Sequence, residues 1–185
     1  MKTIIPQFAS MVVAVLVSSC GSQMTNPASA ASSADTPLAA TIYTKVNEHR
    51  SSVGAKALGR HPGLDRLARE HSEYMRQNRG KFRLGDSADI SHVGFEERTL
   101  AAQRLMGMQN VAENIGTCGG RYSNPAATLI QAWQKSSGHA KNMRGNWELT
   151  GVGVVVDADG AVFATQIFAS KNHSHMTTVD RMRQF

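Results

Sequence analysis

Two runs of β-branched and aromatic residues, Gly151-Val152-Gly153-Val154-Val155-Val156 and Ala161-Val162-Phe163-Ala164-Thr165-Gln166-Ile167-Phe168, flank Asp157-Ala158-Asp159-Gly160. Such residues suit a pleated surface and Asp-Gly chemistry suits a tight turn, so the pair predicts an antiparallel hairpin. The hairpin dominates the fold because what precedes it has a helical period. Leu38, Ile42, Val46, His49 and Val53 recur as one helix face that closes at Gly54. After the turn His61-Pro62-Gly63, the residues Leu64, Leu67, Ala68, His71 and Met75 form a second stripe, with Arg66, Arg69, Glu70 and Glu73 outside. Residues 80–91 lack a period and read as a loop, and a shorter helix is expected over Glu96–Met106. A fourth helix starts at Asn124-Pro125, turns Leu129, Ile130 and Trp133 inward, and breaks around Ser137-Gly138. Helices followed by late strands predict an α+β domain layered α-β-α.

The chain has 185 residues, 41% hydrophobic and 18% charged, enough for one domain with short appendages. A polytopic membrane protein is excluded, because the single long apolar stretch is N-terminal. Two cysteines exclude a disulfide scaffold and a four-thiolate zinc site. No glycine-rich phosphate loop is present. With 20 Lys and Arg against 14 Asp and Glu, the formal charge is +6. That charge favours anionic partners.

Residues 1–19 read as an export signal: Lys2 precedes an apolar run from Phe8 to Val17 that is too short to span a bilayer. Val17-Ser18-Ser19-Cys20 resembles a bacterial lipobox, which implies acylation of Cys20 and attachment to a membrane through an N-terminal lipid. The alternative is cleavage after Ala28-Ser29-Ala30 and soluble secretion. Gly21 rather than Asp after the cysteine favours the periplasmic face of an outer membrane if the cell is Gram-negative. Residues 20–37 continue as a linker. Over 21–37, 13 of 17 positions are Ala, Ser, Thr, Pro or Gly, a flexible tether with a mean span of roughly 23 Å. Acylation leaves Cys118 without an intramolecular partner, and a buried, inert thiol is expected there. Residues 38–170 form the folded domain, and 171–185 a polar, basic tail.

Of seven histidines, His49 and His71 lie on apolar stripes and suit a core or boundary role, and His61 suits a solvated turn. His173 and His175 could bind metal if their segment is extended. His92 follows a polar loop, and His139 follows the helix break. Between them Glu113 sits inside the apolar pentapeptide Val111-Ala112-Glu113-Asn114-Ile115. A carboxylate there is costly unless it is paired, hydrogen-bonded or functional. It either belongs to a site or bonds nearby amides or an arginine and staples a loop.

In this order the motifs resemble the CAP superfamily (cysteine-rich secretory proteins, antigen 5 and pathogenesis-related proteins), in its bacterial SCP-like extracellular branch. The matching residues are Val46-Asn47-Glu48-His49-Arg50, Leu67-Ala68 with His71-Ser72, His92-Val93-Gly94-Phe95, Ala112-Glu113-Asn114-Ile115, Trp133 with Ser136 and His139, Asn142-Met143 and Gly151-Val152-Gly153. The resemblance implies an α-β-α sandwich with a central cleft holding His92, Glu113 and His139. Ser136 replaces the second glutamate of the eukaryotic pattern.

Three readings of the cleft follow. Two imidazoles and a carboxylate can hold a divalent metal, zinc first, which would make the domain a hydrolase of envelope peptide or ester bonds with Glu113 as ligand or base. Ser136 could serve as a nucleophile beside His139, although Gly138 argues against a helix joining them and a capping hydroxyl is the simpler role. The favoured reading is an envelope lipoprotein that binds a ligand or partner through His92, Glu113, Ser136 and His139 without turnover. Arg60, Arg66, Arg69, Arg76, Arg79, Lys81 and Arg83 crowd the second helix and its following loop, so lipid, cell-wall or other anionic envelope ligands are expected. Nucleic acid is not, since aromatic residues are only 6% of the chain.

Overall fold

A computed structural model describes residues 36–82 and 88–173. The expected signal peptide, Cys20, the linker up to residue 35, Arg83 and the tail from residue 174, including His175, lie outside the described residues. The elements are α1 (Pro37–Ser52), β1 (Gly59–Arg60), α2 (Pro62–Gln77), α3 (Phe95–Met106), β2 (Met108–Cys118), α4 (Pro125–Lys135), α5 (Ser137–Arg144), β3 (Leu149–Val156) and β4 (Val162–Lys171). The sheet order is β1-β3-β4-β2. The expected hairpin is β3–β4, antiparallel, with Val156 opposite Val162. Among the described residues no helix is long and apolar enough to cross a membrane.

The layering follows from alternation along β3. Val152 and Val154 point into a core with Ile42 and Val46 of α1 and Leu129 and Trp133 of α4. Gly151 and Gly153 point the other way, where a Cβ would overlap the backbone of Leu64–Asp65 and Ala68–Arg69 in α2. Glycine therefore lets α2 lie directly on the strand. Asp65 locks this contact by accepting from the Val152 amide at 2.8 Å. A second core joins Leu64, Ala68, Ala102 and Ile167, so α2 and α3 cover one face of the sheet while α1, α4 and α5 cover the other. This is the expected α-β-α sandwich.

Four local features differ from the expectation. The buried face of α1 is Ala39, Ile42, Val46 and Arg50, whereas Val53 is exposed. Arg50 is buried because its guanidinium donates to the carbonyls of Lys56, Met143 and Gly145, tying α1 to the end of α5. His61 is not a solvated turn residue: it is the N-cap of α2, its Nδ1 accepting from the Leu64 amide. The helix break sits at Ser136, and a further helix, α5, starts at Ser137 with Gly138 in its first turn. Glu113 lies in the strand β2 and not in a loop.

The close approach of α2 to β3 predicts opposite outcomes for two glycines. Gly153→Ala should lower unfolding stability in urea by about 1–3 kcal/mol, since backbone must move to admit the methyl. Gly138→Ala, where a Cβ meets nothing within 4 Å, should leave stability unchanged or raise it by about 0.5–1 kcal/mol.

Candidate functional site

β2 is an edge strand, and its pairing with β4 places Glu113 opposite Ile167. Side chains alternate across it. Glu113 and Ile115 face the α2–α3 layer, and Asn114 and Gly116 face α4 and α5. Burial of the Glu113 carboxylate, which is 1% exposed, is matched by a fork from Arg98 of α3: Nε donates to Oε2 and Nη2 to Oε1, both at 2.8 Å. His92 Nδ1 lies 2.9 Å from Oε1. Burial pushes the Glu113 carboxyl upward, but the hydrogen bonds from His92 and Arg98 outweigh it and hold the group below its ordinary value. The carboxylate is ionised at neutral pH and can only accept, so His92 Nδ1 carries a proton, and in the neutral ring the lone pair lies on Nε2.

Gly94 explains how Arg98 reaches the strand. With φ at 79° it turns the chain left-handed into α3, and the Arg98 Nη1 donates back to Val93 O at 2.9 Å. His92 thus enters at the start of the same turn that delivers the arginine. Arg98 escaped the sequence reading because Glu96-Glu97-Arg98 looks like an ordinary solvated first turn. The signal was local: an arginine four residues after a glycine turn, in a chain carrying one unmatched buried acid.

His71 of α2 completes the buried cluster. Its Nδ1 is 3.1 Å from Thr165 Oγ1 and 3.7 Å from Glu113 Oε2. Burial above all, and only partly offset by Glu113, lowers its pKa to about 4. His71 is therefore neutral at pH 7 and the cluster holds one anion and one cation. This histidine is the core residue the apolar stripe implied, yet it also floors the site.

His139 arrives from the other layer. Asn114 Nδ2 donates to the His139 carbonyl at 3.2 Å, and Asn114 Oδ1 accepts from Asn142 Nδ2 at 3.0 Å. Asn142 also donates to the Glu113 carbonyl, and Trp133 Nε1 donates to the Ile115 carbonyl at 2.8 Å. Two carbonyls of the edge strand, those of Glu113 and Ile115, are thus satisfied by side chains of α5 and α4. His139 and His92 rings come to 6.5 Å between centroids, tilted by 48°. Beside them an open groove of about 300 Å³ is lined by His92, Phe95, Val111, Ala112, Glu113 and Asn142.

The structure thus brings together His92, Glu113 and His139. Neither His139 nor Ser136 is among the residues that line that groove; Ser136 sits at the junction of α4 and α5, and its hydroxyl makes no cap bond. Both Glu113 oxygens are engaged and Arg98 puts a positive charge against them. The donor set left for a divalent metal is His92 and His139, with Glu113 behind His92 as an orienting carboxylate. Two imidazoles without a carboxylate do not fit a resident zinc with three protein ligands. His173 pairs with Glu148 at 3.1 Å. Cys118 is free and buried, and burial raises its thiol pKa, as expected of an inert thiol.

The sequence pattern of the cysteine-rich secretory protein family matches residues 43–168. Among solved structures, the chain is similar to a cysteine-rich secretory protein from Staphylococcus aureus (20% identity, TM-score 0.52), covering 72% of this chain and 38% of that one. It is similar to an extracellular SCP-domain protein from Bacillus anthracis (27% identity, TM-score 0.52), covering 72% and 40%. An outer surface protein from Borrelia burgdorferi (16% identity, TM-score 0.59) is covered over 96% of its length by 75% of this chain. The chain thus spans about two fifths of the staphylococcal and Bacillus proteins. No curated protein matches the sequence.

The neutral His71 sets a pH dependence. The unfolded chain binds a proton at His71 that the fold excludes, so stability is full above about pH 6.5 and falls as pH drops toward 4. The loss is up to about 3 kcal/mol. Urea titrations from pH 7 to pH 4 should show this slope. His71→Gln should flatten it, and an unchanged slope would refute the assignment.

Proposed function

The chain belongs to the cysteine-rich secretory protein family, and from that premise we propose that it is an exported domain that binds a ligand through its His92–His139 groove without turnover. The observation that carries this reading is the saturation of Glu113. A carboxylate that accepts two charge-assisted bonds from Arg98 and one from His92 is already neutralised. It has neither a free oxygen for a metal nor the raised pKa of a general base. Its role is to fix His92, so that the half-exposed imidazole offers Nε2 as an acceptor beside His139. That nitrogen suits a ligand with a hydroxyl or amide donor, with Phe95 and Val111 of the groove supplying apolar contact. The hydrolase reading would require Glu113 to leave Arg98.

Export and anchoring at the cell envelope are part of the same proposal. They are supported by the signal-like residues 1–19, the lipobox-like Val17-Ser18-Ser19-Cys20 and the extracellular or surface descriptions of the similar bacterial structures. Acylation of Cys20 is read directly from the mass of the mature protein.

Ligand-observed NMR with a panel of envelope lipids and cell-wall fragments tests the groove. At least one class should bind, and His92→Ala/His139→Ala should weaken it about tenfold, the equivalent of losing one or two hydrogen bonds to the ligand. Zinc should bind more weakly than about micromolar, as expected for two imidazoles. Turnover of any panel member that vanishes in His92→Ala, or ligand binding indifferent to the double substitution, would overturn the proposal.

A further inference from the structure

Arginines on α2 looked like the anionic-partner surface, but the structure consumes most of their charge internally. Arg60 pairs with Asp65 at 3.0 Å, Arg76 with Glu73 at 2.6 Å and Asp157 at 3.3 Å, and Arg79 with Asp159 at 2.7 Å. The opposite layer differs. Between Glu113 and Glu148 the chain contains no acidic residue, while it carries Arg121, Lys135, Lys141 and Arg144. All four are exposed. Among the described residues none of them has a hydrogen-bond or ion-pair partner for its side chain. α4 and α5 turn Leu129, Trp133, Ala140 and Met143 inward, which leaves these cations on the outside.

The charges gather where three helices meet. Gln134 of α4 bonds His49 of α1 at 3.0 Å. Lys45, one turn before His49, lines the same α1–α4 groove together with one acid, Glu48, against which Lys45, Lys135, Lys141 and Arg144 leave the layer net positive. Arg144 at the end of α5 is close enough for its charge to act on His49, adding to burial in lowering that imidazole's pKa. Lys135 follows Gln134, and Lys141 precedes Arg144 by one turn. Tyr122, exposed beside Arg121, adds an aromatic of the kind that sits at lipid headgroups.

We propose that the α1–α4–α5 layer docks on a bilayer rich in anionic phospholipid, with Lys135, Lys141 and Arg144 meeting the headgroup phosphates. The described fold begins at Thr36, just before α1, so in the anchored reading the chain from Cys20 enters the domain through this same layer. The inference rests on the exported, anchored reading for its setting but not on the contents of the His92–His139 groove. Docking here would hold the domain by charge as well as by its anchor.

The full chain carrying Cys20→Ser, which removes acylation, is sedimented with phosphatidylcholine vesicles with or without about 30% phosphatidylglycerol. Hydrophobic N-terminal residues contribute to both vesicle types, so the ratio isolates charge. The anionic vesicles should bind at least about tenfold more protein, and the preference should vanish in about 0.5 M salt. Lys135→Glu/Lys141→Glu/Arg144→Glu should abolish the preference, while Arg66→Glu/Lys81→Glu/Arg104→Glu, an equal charge change on the α2–α3 layer, should keep it. Equal losses in both triple variants, no preference in the parent chain, or displacement from the vesicles by a short DNA duplex at matched phosphate would overturn the proposal. Failure of the anchored reading shows separately, as an unmodified Cys20 in the natural protein.

Discussion

A carboxylate sealed beneath the surface of an edge strand is unstable unless its charge is met where it lies. Glu113 meets that condition through Arg98, and the rest of the site depends on this pair. The fork from Arg98 fixes α3 against β2. The remaining acceptor capacity of Oε1 fixes His92. His71 approaches as a neutral imidazole, so no second positive charge is confined with the guanidinium. The cluster is balanced at one anion and one cation. The solvent-facing member, His92, inherits its orientation from groups that solvent does not reach.

The opposite face of β2 is organised by amides and an indole. Asn142 bonds Asn114 and the Glu113 carbonyl, and Trp133 bonds the Ile115 carbonyl, so the centre of the edge is covered without another strand. The same bonds set where α5 begins to climb and therefore where His139 sits. One strand thus carries both halves of the site, an ion pair toward α2 and α3 and a polar ladder toward α4 and α5. Function and edge protection share the Ala112-Glu113-Asn114-Ile115 motif. Its asparagine is as consequential as its acid.

The hairpin, the four longer helices and the layering were legible because each rests on a strong period or on turn chemistry. Gly151-Val152-Gly153 was legible as a strand, though its meaning as a seat for α2 needs the packed partner. β2 was missed because two of its central residues are Glu113 and Asn114, polar groups that defeat an alternation argument until their partners are known. Arg50 was missed for the same reason: a charge on a helix reads as solvated unless three carbonyls are seen around it. His92, Glu113 and His139 were found by resemblance and shown to converge, but the arginine that decides what Glu113 does is distant in sequence from the acid. Charge placement was the least legible feature, since pairing moves the free cations from α2 to α4 and α5.

An ionised Glu113 holds the neutral His92 ring with Nδ1 protonated and Nε2 bare toward the groove. Long-range proton–nitrogen correlation NMR of the imidazole at mildly alkaline pH reads this tautomer directly. The Nδ1–H form is expected for His92, shifting toward the Nε2–H form that predominates in free imidazole side chains when Glu113 is replaced by Leu. A His92 ring found mainly as Nε2–H in the unaltered protein would contradict it.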